Sequence, residues 1–170
     1  IKKFRIGFSE GNILKELSRQ KGISEETILK SGLVKPPQTL TENRAQTAAR
    51  SSDRYYEYMS GRVVFPIRDA RGRTVAFGGR MLDEGRQPKY LNTPESPVYT
   101  KGRHLYGFYE GAQRIKKSSE IIIVEGYLDV VVSHQSGIQN AVSCLGTAFT
   151  EYHASLINRF VRRVALMFDP

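Results

Sequence analysis

One cysteine, no tryptophan and no apolar run long enough for a membrane span set the first limits on this 170-residue chain. Cys144 alone cannot close an internal disulfide, and it cannot build a zinc site of the multi-cysteine kind. A bilayer-crossing helix needs about 20 predominantly apolar residues, and no stretch approaches that. The opening residues Ile1, Lys2, Lys3 and Phe4 carry no secretory pattern and lead into a helical one. A soluble, cytoplasmic protein is expected, with no membrane partner. His104, His134 and His153 lack ligand spacing and are expected on the surface or in packing. The chain also has no initiator methionine and stops at Asp169-Pro170, just after an apolar strand, so a piece of something longer is expected. Acid is in short supply: 17 Asp and Glu face 26 Lys and Arg, a net charge of +9.

The basic excess is concentrated. From Arg54 to Lys117 there are nine Arg and four Lys against six acids. Such a field suits a polyanion, and Arg grips phosphate with a planar fork. The plainer reading is a solvated basic face with no partner.

Apolar residues make up 39% of the chain, enough for a core and too many for a disordered tail. Ile13, Leu14 and Leu17 share one helical face between Asn12 and Gln20. Ser24 opens a second helix with Glu25 and Glu26 in its first turn, and Gly32 ends it. Residues 35–53 turn polar and read as a long, mobile surface loop. Val63–Ile67 and Thr74–Phe77 flank Asp69-Ala70-Arg71-Gly72 as a β-hairpin, with Pro66 marking an edge or a bulge. Gly78-Gly79-Arg80 follows the second strand, where paired glycines admit a close backbone or ligand. From Pro88 to Leu105 the chain reads as irregular, with Lys89, Tyr90, Asn92, Lys101 and Arg103 interleaved. Charge for a backbone and flat rings for bases is what a single strand needs, although Tyr is equally a core residue. A helix from about Tyr106 to Lys116 closes this part.

The last fifty residues alternate strand and helix. Ile121–Val124 is a β-branched strand, a helix runs from Tyr127 to Gln135, and a strand covers Asn140 to Ser143. A helix from Thr150 to Phe160 and a strand from Val164 to Phe168 follow. This order implies a parallel sheet, whose functional groups gather beyond the strands' carboxyl ends. Glu125 and Asp169 occupy such positions. Two carboxylates on one rim repel unless a cation lies between them, and hard oxygen ligands favour Mg²⁺ or Mn²⁺. Either acid can instead cap a helix. Asp129 can orient Glu125, bind metal through water or favour the helix dipole.

The string Val124-Glu125-Gly126-Tyr127-Leu128-Asp129-Val130-Val131 resembles the first motif of the Toprim fold. Leu166-Met167-Phe168-Asp169 resembles the start of its Asp-x-Asp motif. Arg62-Val63-Val64-Phe65-Pro66-Ile67-Arg68-Asp69, Phe77-Gly78-Gly79-Arg80, Pro88-Lys89-Tyr90-Leu91-Asn92-Thr93-Pro94-Glu95 and Lys101-Gly102-Arg103-His104-Leu105-Tyr106-Gly107 resemble the polymerase subdomain of bacterial DnaG-type primases. The resemblance runs from about Gly7 to the end. It implies an α+β amino-terminal polymerase subdomain (residues 1–117), then an incomplete α/β Toprim subdomain with a parallel sheet (residues 118–170).

That family implies a DNA-directed RNA polymerase, a nucleotidyltransferase of DNA replication. Glu125 would be metal ligand or general acid/base, Asp169 a metal-binding aspartate and Asp129 a supporting acid. Arg80, Lys89, Tyr90, Asn92 and Lys101 would line the groove beside the metals, with Arg62 on the same basic ridge. Partners would be single-stranded DNA template, ribonucleoside triphosphates and RNA primer. The replicative helicase would bind through a carboxyl-terminal domain and zinc would sit in an amino-terminal one, both outside this chain. A monomer in the bacterial cytoplasm is expected. Where the family has a second aspartate the chain has ended, and Pro170 stands where a small residue is usual, so the piece is expected to bind DNA without synthesising RNA. Alternatives are another Toprim enzyme, such as a nuclease, and a non-catalytic single-stranded DNA-binding module. A phage-type primase fused to a helicase is a further variant.

Overall fold

In the computed structural model, residues 2–20, 22–35, 55–83, 85 and 87–168 are described. The polar loop expected at residues 35–53 lies outside them except for Lys35, as do Asp169 and Pro170. No helix among the described residues is long and apolar enough to cross a membrane. The chain divides into two compact units. One comprises Ile1–Ile6, Phe65–Phe77 and Val98–Pro170, the other Gly7–Val64 and Gly78–Pro97. The division does not follow one sequence boundary, because the hairpin at 62–81 gives its turn to the first unit and its open end to the second.

The second unit holds β1 (Gly7–Ser9), α1 (Ile13–Ser18), α2 (Glu25–Lys30), β2 (Val34–Lys35) and β3 (Tyr56–Glu57). It also holds the start of β4 (Arg62–Arg68), the end of β5 (Thr74–Met81) and β6 (Tyr90–Asn92). Ser24 caps α2 by accepting from the Thr27 amide, as its sequence position led one to expect. Leu14, Ile28 and Val34 bury together under Leu17, Ile23 and Tyr55. Glu57 accepts from the amides of Ile13 and Leu14, satisfying donors at the start of α1 from outside the helix.

The antiparallel sheet has the order β1-β4-β5-β6. Register between β1 and β4 ends at Val64, two residues short of Pro66, so the proline needs no donor on that side. The expectation that β5 stops before Gly78 is corrected here. Gly78, Gly79 and Arg80 stay in the strand and pair with Asn92, Leu91 and Tyr90. The reason is packing: a Cβ on Gly79 would lie 2.6 Å from Met59 Sδ and 2.9 Å from Arg62 Cδ. The segment after Pro88 is likewise less irregular than its prolines suggest, because it contains β6 and a 3₁₀ turn at Lys101–Arg103.

The first unit contains that 3₁₀ turn, α3 (Phe108–Ser118), β7 (Glu120–Val124), α4 (Tyr127–Gln135), β8 (Ala141–Ser143), α5 (Glu151–Ile157) and β9 (Arg163–Met167). The three strands form a parallel sheet, β8-β7-β9, with Val124 level with Ser143 and Met167. Leu105, Phe108, Ile115, Ile121, Ile123, Val142, Cys144 and Ile157 form its core. Each such side chain contributes roughly 1.5–3 kcal/mol on burial. Phe65 stacks on Tyr127, and Tyr106 meets Tyr127 edge-on. Arg68 and Glu110 form a buried pair at 3.5 Å that ties the hairpin turn to α3, and burial pushes the Glu110 carboxyl up. β9 lies at the sheet edge with its side chains exposed, Leu166 at 64%.

Burial holds His104, His134 and His153 below the ordinary imidazole value of 6.5. Just below that value the unfolded chain therefore binds more protons than the folded one, and stability falls as pH falls. Glu110, raised by burial, acts in the opposite direction. Urea unfolding at about pH 7.5 and about pH 5.5 is expected to show the lower midpoint at the acid value. An equal or higher midpoint there contradicts the reading.

Candidate active site

Glu125 follows the last residue of β7 directly and is exposed. The turn that carries it is fixed from two sides. Ser143, fully buried at the end of β8, donates through Oγ to the Glu125 carbonyl at 2.6 Å and accepts from the Leu145 amide at 3.2 Å. Asp129, in the first turn of α4, accepts from the Gly126 amide at 2.9 Å. Tyr106 and Ser143 exchange both backbone hydrogen bonds, which anchors the end of β8 in turn. The sequence held no local signal for Ser143, because the Glu125 carbonyl that it bonds lies 18 residues away. Ser143→Ala removes two hydrogen bonds at a buried position. It is expected to destabilise by about 1–3 kcal/mol, read by urea unfolding.

The residues at this rim suit a hard cation. Glu125 is an exposed carboxylate, and Asp129 uses one carboxylate oxygen for the Gly126 amide and carries a second. Among the described residues no three His, Cys, Asp or Glu gather into a set. Asp169, the third acid expected here, lies outside them, two residues past Met167, which is level with Val124.

Lys101 sits half-buried in the 3₁₀ turn of the same unit. Thr150 Oγ1 donates to the Gly102 carbonyl at 2.7 Å and accepts from the His153 amide, capping α5. Arg103 donates to the Tyr152 hydroxyl at 2.9 Å, with its guanidinium 4.3 Å from that ring. His153 Nδ1 accepts from the Thr150 amide, and His134 bonds the Ala141 carbonyl. Both histidines are buried in packing.

In the second unit the register of β5 and β6 sets Arg80 opposite Tyr90. The Arg80 guanidinium lies 5.8 Å from the Tyr90 ring, which is 44% exposed. Arg80 Nε is buried and finds no acceptor among the described residues. Lys89 is exposed just before β6, and Asn92 ends that strand half-buried.

Arg62 is not on an exposed ridge: it is 1% exposed. Its Nη1 donates to the Pro88 carbonyl at 2.9 Å and the Lys89 carbonyl at 3.4 Å. The Lys89 carbonyl also accepts from the Met81 amide. Arg62 thus fixes the backbone that carries Lys89. A cation there has several donors to spend on carbonyls, which a sequence reading of its charge alone could not reveal.

Residues 1–112 match a family described as DNA primase catalytic core, N-terminal domain, and residues 119–170 match the Toprim domain. The chain is 43% identical over 169 residues to a DNA primase of Deinococcus radiodurans, covering 98% of this chain and 27% of that protein. A Pseudomonas aeruginosa DNA primase gives the same identity with 23% of its length covered. Of solved structures, the DnaG primase catalytic domain bound to ssDNA superposes with a TM-score of 0.81 at 37% identity, covering 98% of this chain and 48% of that one. The RNA polymerase domain of Mycobacterium tuberculosis primase DnaG gives 0.82 at 30% identity, covering 99% and 53%. The chain spans a minor part of the length of the curated relatives.

Proposed function

The chain belongs to the DNA primase catalytic-core family, and from that premise we propose that it serves the synthesis of short RNA primers on single-stranded DNA by metal-dependent nucleotidyl transfer. The observation that supports this most is an exposed Glu125 fixed at the carboxyl end of a parallel strand, in a chain matching both primase and Toprim families. Glu125, Asp129 and Asp169 would hold Mg²⁺ or Mn²⁺. When bound, such an ion would offset the negative charge of the triphosphate and make the attacking hydroxyl more acidic.

Everything else falls to the chain's own groups. Glu125 accepts the proton of the primer hydroxyl or ligates the ion. Asp129 keeps the Glu125 turn in place. Arg80 and Lys89 hold phosphates, Tyr90 offers a flat face to a base, and Asn92 reads or steadies the strand edge. Lys101, pinned through Thr150 and Arg103, supplies a further cation. Arg62 acts through Lys89. Within the whole protein the partners are the template, ribonucleoside triphosphates and the growing primer. Zinc and the replicative helicase bind outside this chain, and the protein acts as a monomer in the bacterial cytoplasm.

The test incubates the full-length protein with single-stranded DNA, labelled ribonucleotides and Mg²⁺ or Mn²⁺. Short alkali-labile products are expected. Shortened DNA would instead indicate a nuclease, and strand retention without either product would indicate a binding module.

A further inference from the structure

Asn92, at the end of β6, is followed after the buried Thr93 by residues 94–97, which wall a groove of about 350 Å³ in the second unit. Pro94, Glu95 and Pro97 line it on that segment. Lys30 at the end of α2, Lys35 of β2 and Tyr58 beyond β3 line it too. Gly32 lets the walls meet: its φ is +71°, and a Cβ there would lie 3.0 Å from Pro94 Cγ. Lys35 Nζ stands 5.4 Å from the Tyr58 ring centre and 5.2 Å from that of Tyr56, which is 47% exposed.

This is the chemistry of a single-stranded nucleotide: cations for phosphate and flat faces for a base. The volume is at the small end of small-ligand sites, which start at about 300 Å³. That is room for one nucleotide rather than a length of duplex. Lys30 already pairs with Glu26 across an exposed helical turn, a contact weak enough to exchange. Glu95 would repel phosphate, so the phosphate belongs at the lysines and the base inside.

We propose that the bound strand continues past Tyr90 and Asn92 along residues 94–97 and places one further nucleotide in this groove. Its base rests against Tyr58 and its phosphate on Lys35 and Lys30. The proposal rests on the strand-holding role given above to β6, and it adds a subsite that extends the footprint.

Fluorescence anisotropy on the full-length protein tests it, with oligodeoxynucleotides graded from about 4 to about 16 nucleotides. Affinity is expected to step upward at the length that first reaches the groove. Lys35→Gln and Tyr58→Leu remove the step and weaken the longer strands roughly 5- to 100-fold. They leave the shortest strands unchanged, and Lys35→Arg restores the step. The salt slope for long strands falls by about 0.7 in Lys35→Gln, one phosphate's worth for a single strand. Long strands binding Lys35→Gln and Tyr58→Leu as tightly as wild type overturn the groove. Lys89→Ala and Tyr90→Ala run alongside. If these weaken even short strands while the groove variants bind normally, only the groove is lost. If they too bind normally, the strand-holding role of β6 falls with it.

Discussion

Glu125→Gln is expected to slow RNA synthesis by the full-length protein roughly 10²–10³-fold, the scale on which removing one preorganised electrostatic group acts. Affinity for single-stranded DNA is expected to stay within about twofold, since strand binding rests on the basic residues. Gln keeps the shape of Glu and loses its charge, so it neither ligates a hard cation well nor accepts a proton at neutral pH. Glu125 is exposed, and the Ser143 hydroxyl holds its backbone carbonyl, not its carboxylate. Initial rates of labelled ribonucleotide incorporation, taken at saturating DNA, separate the two quantities. A rate within a few-fold of wild type would remove Glu125 from the chemistry.

The second large effect belongs to Arg62. Arg62→Ala is expected to destabilise the protein by about 2–5 kcal/mol, combining a buried cavity with carbonyls that lose their donor. Strand binding should weaken as well, because the Pro88 and Lys89 carbonyls that Arg62 bonds belong to the backbone that presents Lys89. Lys in its place offers a compact ammonium rather than a fork, so Arg62→Lys should recover only part of both losses. Urea unfolding gives the stability. Anisotropy at a temperature where the variant is folded gives the binding. A variant of wild-type stability would show that the buried guanidinium contributes nothing net.

The two ends of the chain are readable from local sequence, and the middle is not. β7, α4, β8, α5 and β9 follow from local signals: a β-branched run, apolar spacing at helical period, and a Thr150 cap. α1 and α2 are legible for the same reason, through Ser24 and the Leu14 face. The middle is harder because its rules are non-local. Glycine is a poor strand former, so Gly78-Gly79 reads as an ending until Met59 and Arg62 are seen packed against it. Prolines on either side hide β6. Arg62 looks like one more surface cation, and only carbonyls 26 and 27 residues away explain its burial. The motif strings pointed to the rim and to the basic residues. They said nothing of Ser143, whose work is done through backbone atoms of another strand's end.

The decisive measurement is the sequence of the RNA made by the full-length protein on a single-stranded DNA of defined sequence with Mg²⁺ or Mn²⁺. The products are expected to be short, complementary to the template and made roughly 10²–10³-fold more slowly when Glu125→Gln replaces the wild type. RNA unrelated to the template, or complementary RNA made equally well by Glu125→Gln, would contradict a template-directed polymerase centred on this rim.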